Sequence, residues 1–346
     1  LNTVRYFPGC ITSDYLSLAA LDLSKDDARA QVESYLGGGE NIYASEQNLY
    51  VAGTINRLNH LESRQGNYYT NETQIYRFTL GKGKFNYSGS GSVPGKILNQ
   101  FSMDEHDRYF RIATTTGSLW GEGAQVSKNN LYVLDKELKI VGSLEGIAPG
   151  EKIYSTRFLG DRAFMVTFRE VDPFFVLDLH DPQNPSVLGK LKIPGYSDYL
   201  HPYDENHIIG FGKDTAEVKS GDDSQAFYQG LKVALFDVTD VSNPVEMCKV
   251  IIGDRGTDSE LLNNHKALLF SKSKNLLAFP VTVMEKQPLA EGDTGSVTEY
   301  GTFTFQGAYI YQIDLQYGLQ LRGKITHLSP KDYELAGDYW YDSDKN

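Results

Sequence analysis

Six short apolar runs punctuate the chain at 18–22, 75–79, 131–135, 174–178, 233–237 and 310–314. Each ends in an acidic or hydroxyl residue, in order Asp22, Thr79, Asp135, Asp178, Asp237 and Asp314. Runs this short, rich in Val, Ile, Leu, Phe and Tyr and bounded by turn-forming residues, predict buried strands rather than helices. Successive ends lie 57, 56, 43, 59 and 77 residues apart. A period of roughly 50 marks a repeated supersecondary unit, with the excess carried by insertions.

Two copies align in detail. Leu177-Asp178-Leu179 precedes Asn184-Pro185 and Leu191-Lys192-Ile193, while Phe236-Asp237-Val238 precedes Asn243-Pro244 and Val250-Ile251-Ile252, and the Asn-Pro pairs are 59 residues apart. The clearest unit divides into four antiparallel strands: a at 153–158, b at 162–168, c at 173–179 and d at 186–193. Gly160-Asp161 and the segment 181–185 supply tight turns. Four short strands per unit, repeated, predict radial blades and hence an all-β fold, a β-propeller of four-stranded antiparallel blades. Full blades fall near 41–93, 101–147, 153–195, 199–253 and 260–328, after a half blade of strands c and d at 13–37. The expectation is a single propeller domain over 1–346, with about five full blades plus the half blade in this chain and roughly six to eight in the closed ring. Because the half blade lacks strands a and b, the chain reads as a fragment, its ring closed by its own tail or by a companion fragment of the same precursor.

The recurring acidic strand ends are read as acceptors for turn N–H groups, a duty every blade needs, rather than as catalytic carboxylates. Segment 24–31 has helical composition over barely two turns and reads equally well as a loop. Segment 318–324 resembles the start of a phosphate-binding loop, but Ile325 stands where Ser or Thr is required and the alternation is that of a strand d.

Composition narrows the function classes. With 33 Lys and Arg against 45 Asp and Glu, the net charge is −12, and the absence of a dense basic stripe argues against nucleic acid as a partner. No run reaches the roughly 18 apolar residues of a membrane-spanning helix. Cys10 and Cys248 are too few for a disulfide framework, and the blade map does not place them side by side. No cofactor is implied and no metal is assigned, although a structural cation such as calcium is compatible with the sequence.

Long insertions at 57–73, 117–128, 213–230 and 284–301 fall between strands b and c, so they emerge on one face of a propeller, where loops on a rigid scaffold concentrate function. Trp120 and Tyr228 lie inside them and are suited to stacking on a sugar or gripping a peptide, or to covering the base of their own loops. Arg157, His201 and His265, with Tyr199 beside them, fall at comparable points of three successive first strands. Such a group could bind an anion or a metal in the central channel, or pack between blades. No HxH, HExxH or Gly-x-Ser-x-Gly pattern occurs, and no catalytic residue is assigned.

Longer strings carry a family resemblance. They include Ile112-Ala113-Thr114-Thr115-Thr116-Gly117, Asn129-Asn130-Leu131-Tyr132-Val133-Leu134-Asp135 and Ala148-Pro149-Gly150-Glu151-Lys152-Ile153-Tyr154-Ser155. Further on stand Ile193-Pro194-Gly195-Tyr196-Ser197-Asp198-Tyr199-Leu200-His201-Pro202 and His265-Lys266-Ala267-Leu268-Leu269-Phe270. Over almost its whole length the chain resembles secreted prokaryotic proteins with a C-terminal β-propeller distantly related to WD repeats. The resemblance implies an exported, cell-surface or secreted propeller with further sequence on both sides. The leading functional expectation is an extracellular, non-enzymatic binding or assembly scaffold presenting its long loops to a protein or cell-surface polymer. Two alternatives remain: a secreted hydrolase acting on carbohydrate or peptide in the central funnel, and a structural subunit completed by a companion fragment or another copy.

Overall fold

The computed structural model describes residues 4–7, 13–60, 67–119, 121, 123–169, 172–220, 223–287 and 296–337. Strands β1 (Val4–Tyr6), β2 (Tyr15–Ala20) and β3 (Gln31–Leu36) form a three-stranded sheet in the order β1-β3-β2, in which β1 joins β3 in parallel. Five four-stranded antiparallel sheets follow. The first holds β4 (Asn41–Ala44), β5 (Asn48–His60), β6 (Asn67–Gly81) and β7 (Lys84–Pro94). The second holds β8 (Met103–His106), β9 (Tyr109–Thr116), β10 (Lys128–Leu134) and β11 (Ile140–Ile147). The third holds β12 (Lys152–Leu159), β13 (Arg162–Phe168), β14 (Asp172–Asp178) and β15 (Ser186–Ile193). The fourth holds β16 (Tyr196–Pro202), β17 (His207–Ser220), β18 (Asp223–Asp237) and β19 (Val245–Ile252). The fifth holds β20 (Leu269–Ser271), β21 (Leu276–Glu285), β22 (Thr302–Asp314) and β23 (Gly318–Ile325). Strand order within each follows the chain, the meander of a propeller blade. The all-β propeller expected from the repeat is the fold observed.

The chain separates into two compact units. One comprises Leu1–Ile153, Gly160–Ala163 and Asp178–Ser186, the other Tyr154–Leu159, Phe164–Leu177 and Val187–Asn346. In the first, Phe7, Leu18, Tyr35, Val51, Tyr76 and Phe78 form one core, while Tyr50, Ala52, Ile75, Phe110, Ile112 and Tyr132 form another. Val51 and its neighbours Tyr50 and Ala52 therefore face opposite cores. Strands covered on both sides need apolar residues at every position, which is why the second and third strands of a blade read as continuous apolar runs. The outer strands alternate instead: the third strand β10 is buried from Asn129 onward, whereas the outer strand β19 shows every second residue exposed. In the second unit Phe164, Phe174, Ile208 and Phe236 share a core, with the Phe174 and Phe236 rings stacked at 4.8 Å.

The acidic strand ends do what their recurrence implied. Asp22, Asp135, Asp178, Asp237 and Asp314 each accept a hydrogen bond from a backbone N–H two residues on, at 2.7 to 3.1 Å. Segment 318–324 lies within strand β23. Residues 24–30 form turns, not a helix.

Two expected loops are largely strand. The insertions at 57–73 and 213–230 extend their blades as two-stranded ribbons, with β5 paired to β6 as far as His60↔Asn67 and β17 paired to β18 as far as Ser220↔Asp223. A long excursion satisfies its backbone polar groups by pairing with itself. Helix α1 (Pro330–Ala336), capped by reciprocal Ser329 and Asp332 hydrogen bonds, was not anticipated.

Candidate functional site

Of the residues singled out from sequence, Arg157, Tyr199, His201, Tyr228 and His265 all belong to the second unit, while Trp120 lies outside the described residues. Tyr199 and His201 alternate onto the same face of β16, where the Tyr199 hydroxyl and His201 Nδ1 are 3.0 Å apart. The Tyr199 ring lies 6.2 Å from His265, and His201 meets Phe270 edge-on at 4.4 Å. Burial depresses the His201 pKa to about 4, with the nearby positive charge of Arg157 adding to the effect. His265 is also lowered, by burial and then by Lys266 and Arg157. Burial raises Tyr199, opposed by Arg157. The four residues are thus brought together, in surroundings that favour the neutral form of both imidazoles.

His265 corrects one expectation. It stands on a 3₁₀ turn, His265–Ala267, rather than on a first strand. The Asn264 side chain accepts the Lys266 N–H and caps this turn, delaying the strand until Leu269. Tyr228 lies apart from this group. Its ring meets Tyr196 at 5.2 Å and Phe168 at 6.4 Å, and its carbonyl accepts a hydrogen bond from Arg255, whose guanidinium lies 4.5 Å from the Tyr300 ring. It is 43% exposed, so one side of the ring seals the base of the ribbon while the other meets solvent.

One recess was not anticipated. In the first unit a cleft of about 600 Å³ opens between the base of the β5–β6 ribbon and the connection from β9 to β10. Asn71, Thr116, Ser118, Gln125 and Asn130 supply neutral hydroxyl and amide groups to its wall, Lys128 and Glu145 one charge of each sign, and Pro94 and Tyr132 apolar surface. Its floor is fixed: Asn130 donates to Thr116 Oγ1 at 3.2 Å and accepts from the Gly146 N–H at 3.0 Å. Its rim is a compact loop closed by Ser118 N–H to Gln125 O and Ser127 N–H to Ser118 O, both 2.9 Å. Gly117 turns the chain into that loop at φ +75°, where a Cβ would meet the Val126 carbonyl. The sequence marked the 117–128 insertion, but not that Asn71, far away in the chain, would line the same space.

These features define a β-propeller whose b–c connections frame a polar cleft. The chain belongs to the Beta propeller domain family, which matches residues 1–346. It is 42% identical over 209 residues to an uncharacterized protein of Archaeoglobus fulgidus, a stretch covering 60% of this chain and 30% of that protein. An uncharacterized protein of Methanocaldococcus jannaschii is 43% identical over 198 residues, 56% of this chain and 29% of its own length. The matched stretch is thus less than a third of either relative. Among solved structures the chain is similar to a europium-containing methanol dehydrogenase with a TM-score of 0.37 and 9% identity, over 83% of this chain and 72% of that one. A likeness so slight bears on neither substrate nor metal.

Proposed function

We propose that the chain is a non-enzymatic binding or assembly scaffold, exported and related to WD-repeat propellers, whose b–c face engages a protein or cell-surface polymer. The observation that carries this reading is the cleft beside Asn71, Thr116, Gln125 and Asn130. Its neutral donors and acceptors stand on a floor already held by hydrogen bonds. Such a wall suits an uncharged, hydroxyl- or amide-rich ligand, and prior fixing of the groups lowers the entropic cost of binding. The packed state of Arg157, Tyr199, His201 and His265 favours this reading over hydrolysis. A histidine titrating at about 4 is poorly matched to proton transfer near neutrality.

The test is binding of the whole chain to an array of uncharged oligosaccharides and peptides, repeated with Thr116→Val and Gln125→Ala. Saturable binding that both substitutions weaken supports the scaffold reading. Ligands that bind both variants as tightly as the parent chain, or turnover of any bound oligosaccharide, overturns it.

A further inference from the structure

We propose that the turns at the opposite ends of the blade strands build a site for a single divalent transition-metal ion, held by His106, Asp107 and Asp161, with His180 at its edge. This site is independent of the cleft and of the ligand it takes. The residues come from three turns: that between β8 and β9, that between β12 and β13, and that following β14. All four lie in the first compact unit.

The geometry is that of a ligand set around a small centre. His106 Nε2 lies 3.2 Å from one oxygen of Asp161 and 3.6 Å from Asp107 Oδ2. The second oxygen of Asp161 lies 3.5 Å from His180 Nδ1. Zinc bound at about 2.0–2.1 Å to nitrogen and oxygen has ligand atoms about 3.3 Å apart along a tetrahedral edge, so the observed separations need little change to take an ion. The nitrogen and oxygens of His106, Asp107 and Asp161 all lie within 4.8 Å of one another. A cavity of about 30 Å³ opens beside them, its wall shared by His106, Asp107, Asp161 and His180 with the Arg111 side chain and apolar residues such as Val133 and Leu179. That volume matches one water molecule or a cation in its place.

The turns are fixed in advance. Asp107 and Arg108 have φ of 48° and 71° in a two-residue hairpin closed by the His106↔Tyr109 pair. On the other side, Arg111 donates to the Gly160 carbonyl at 2.7 Å and so fastens the turn that presents Asp161. The Arg111 guanidinium is itself neutralised by an ion pair with Asp104, which leaves the carboxylates of Asp107 and Asp161 and the imidazole of His106 to meet a doubly charged ion. Imidazole beside carboxylate suits zinc, cobalt or nickel and disfavours calcium, which takes oxygen alone.

The experiment is calorimetric titration of chelator-treated whole chain with Zn²⁺ and separately with Ca²⁺, together with the visible spectrum on adding Co²⁺. The expected result is one saturable Zn²⁺ site that raises the melting temperature, with Ca²⁺ weaker. His106→Ala and Asp161→Asn are each expected to weaken Zn²⁺ binding by about tenfold or more, and His265→Gln to leave it unchanged. Asp107→Asn, at a position 84% exposed, serves should His106→Ala fail to fold. No saturable Zn²⁺ binding, tighter binding of Ca²⁺, or Zn²⁺ binding undiminished in these variants overturns the proposal and leaves the cluster as ion pairs only.

Discussion

Gly189 of β15 lies so close to the carbonyl oxygen of Val241, in the turn between β18 and β19, that a Cβ at 189 would overlap it. Gly142 of β11 stands in the same relation to the Pro182 carbonyl, and Gly91 of β7 to that of Leu138. In these three blades the last strand thus carries a glycine where the outer turn of the next blade settles on it, whereas in β19 the contact is made by Cys248 against Gly318. A Gly189→Ala chain is expected to lose about 1–3 kcal/mol through overpacking against backbone that cannot rotate away. Gly323→Ala, with open space at its Cβ, is expected to show no such loss. Thermal unfolding of the two variants beside the parent chain checks both.

Arg111 is 3% exposed and pairs with Asp104, which is 21% exposed. Arg111→Met roughly keeps the volume but leaves the carboxylate without its cation, with the Tyr43 hydroxyl still donating to it, and frees the Gly160 turn. The expected cost is about 2–4 kcal/mol, below that of a fully buried pair because Asp104 keeps some contact with water. Denaturant unfolding measures it. The double variant Arg111→Met with Asp104→Leu is expected to recover much of the loss.

His201 sets a pH dependence whose sign follows from its depressed pKa. In the unfolded chain it gains its proton near 6.5, but in the folded protein only near 4. Between those values the unfolded state holds more protons, so stability falls as pH falls. The contribution is complete above about 6.5 and absent below about 4. Melting temperatures at pH 7 and pH 5 are expected to differ more in the parent chain than in His201→Gln, which has nothing to titrate there.

The β17–β18 ribbon beyond Lys213 is paired only within itself, from Thr215↔Tyr228 to Ser220↔Asp223. Replacing residues 217–226 by a two-residue turn is expected to leave the blade intact, because β17 and β18 remain paired to each other, β17 to β16 and β18 to β19 below that point. Circular dichroism and melting temperature close to those of the parent chain are the outcome expected. A collapse of the unfolding transition would show that the ribbon holds the blade together.

The chain itself determined the repeat. Strands buried on both faces, such as the run from Tyr50 to Ala52, must be apolar throughout, and their turns must offer an acceptor, so Asp135, Asp178 and Asp237 recur at a period anyone can count. Other features left fainter marks. The insertions were visible as excess length, but self-pairing that makes 213–230 a ribbon depends on cross-strand hydrogen bonds that alternation alone does not announce. Helix α1 is too short for a helical period to stand out.

Sites were the province of tertiary structure. Tyr199 and His201 are neighbours in the chain and could be paired by eye, whereas His106 and Asp161 are 55 residues apart, in turns whose approach depends on one blade settling against the next. Asn71 joins Gln125 around one cleft for the same reason. Local patterning fixes which strands form and which faces they bury, because those follow from residue-by-residue solvation. Which turns meet follows from how whole sheets pack, and a site assembled from turns appears only once they have.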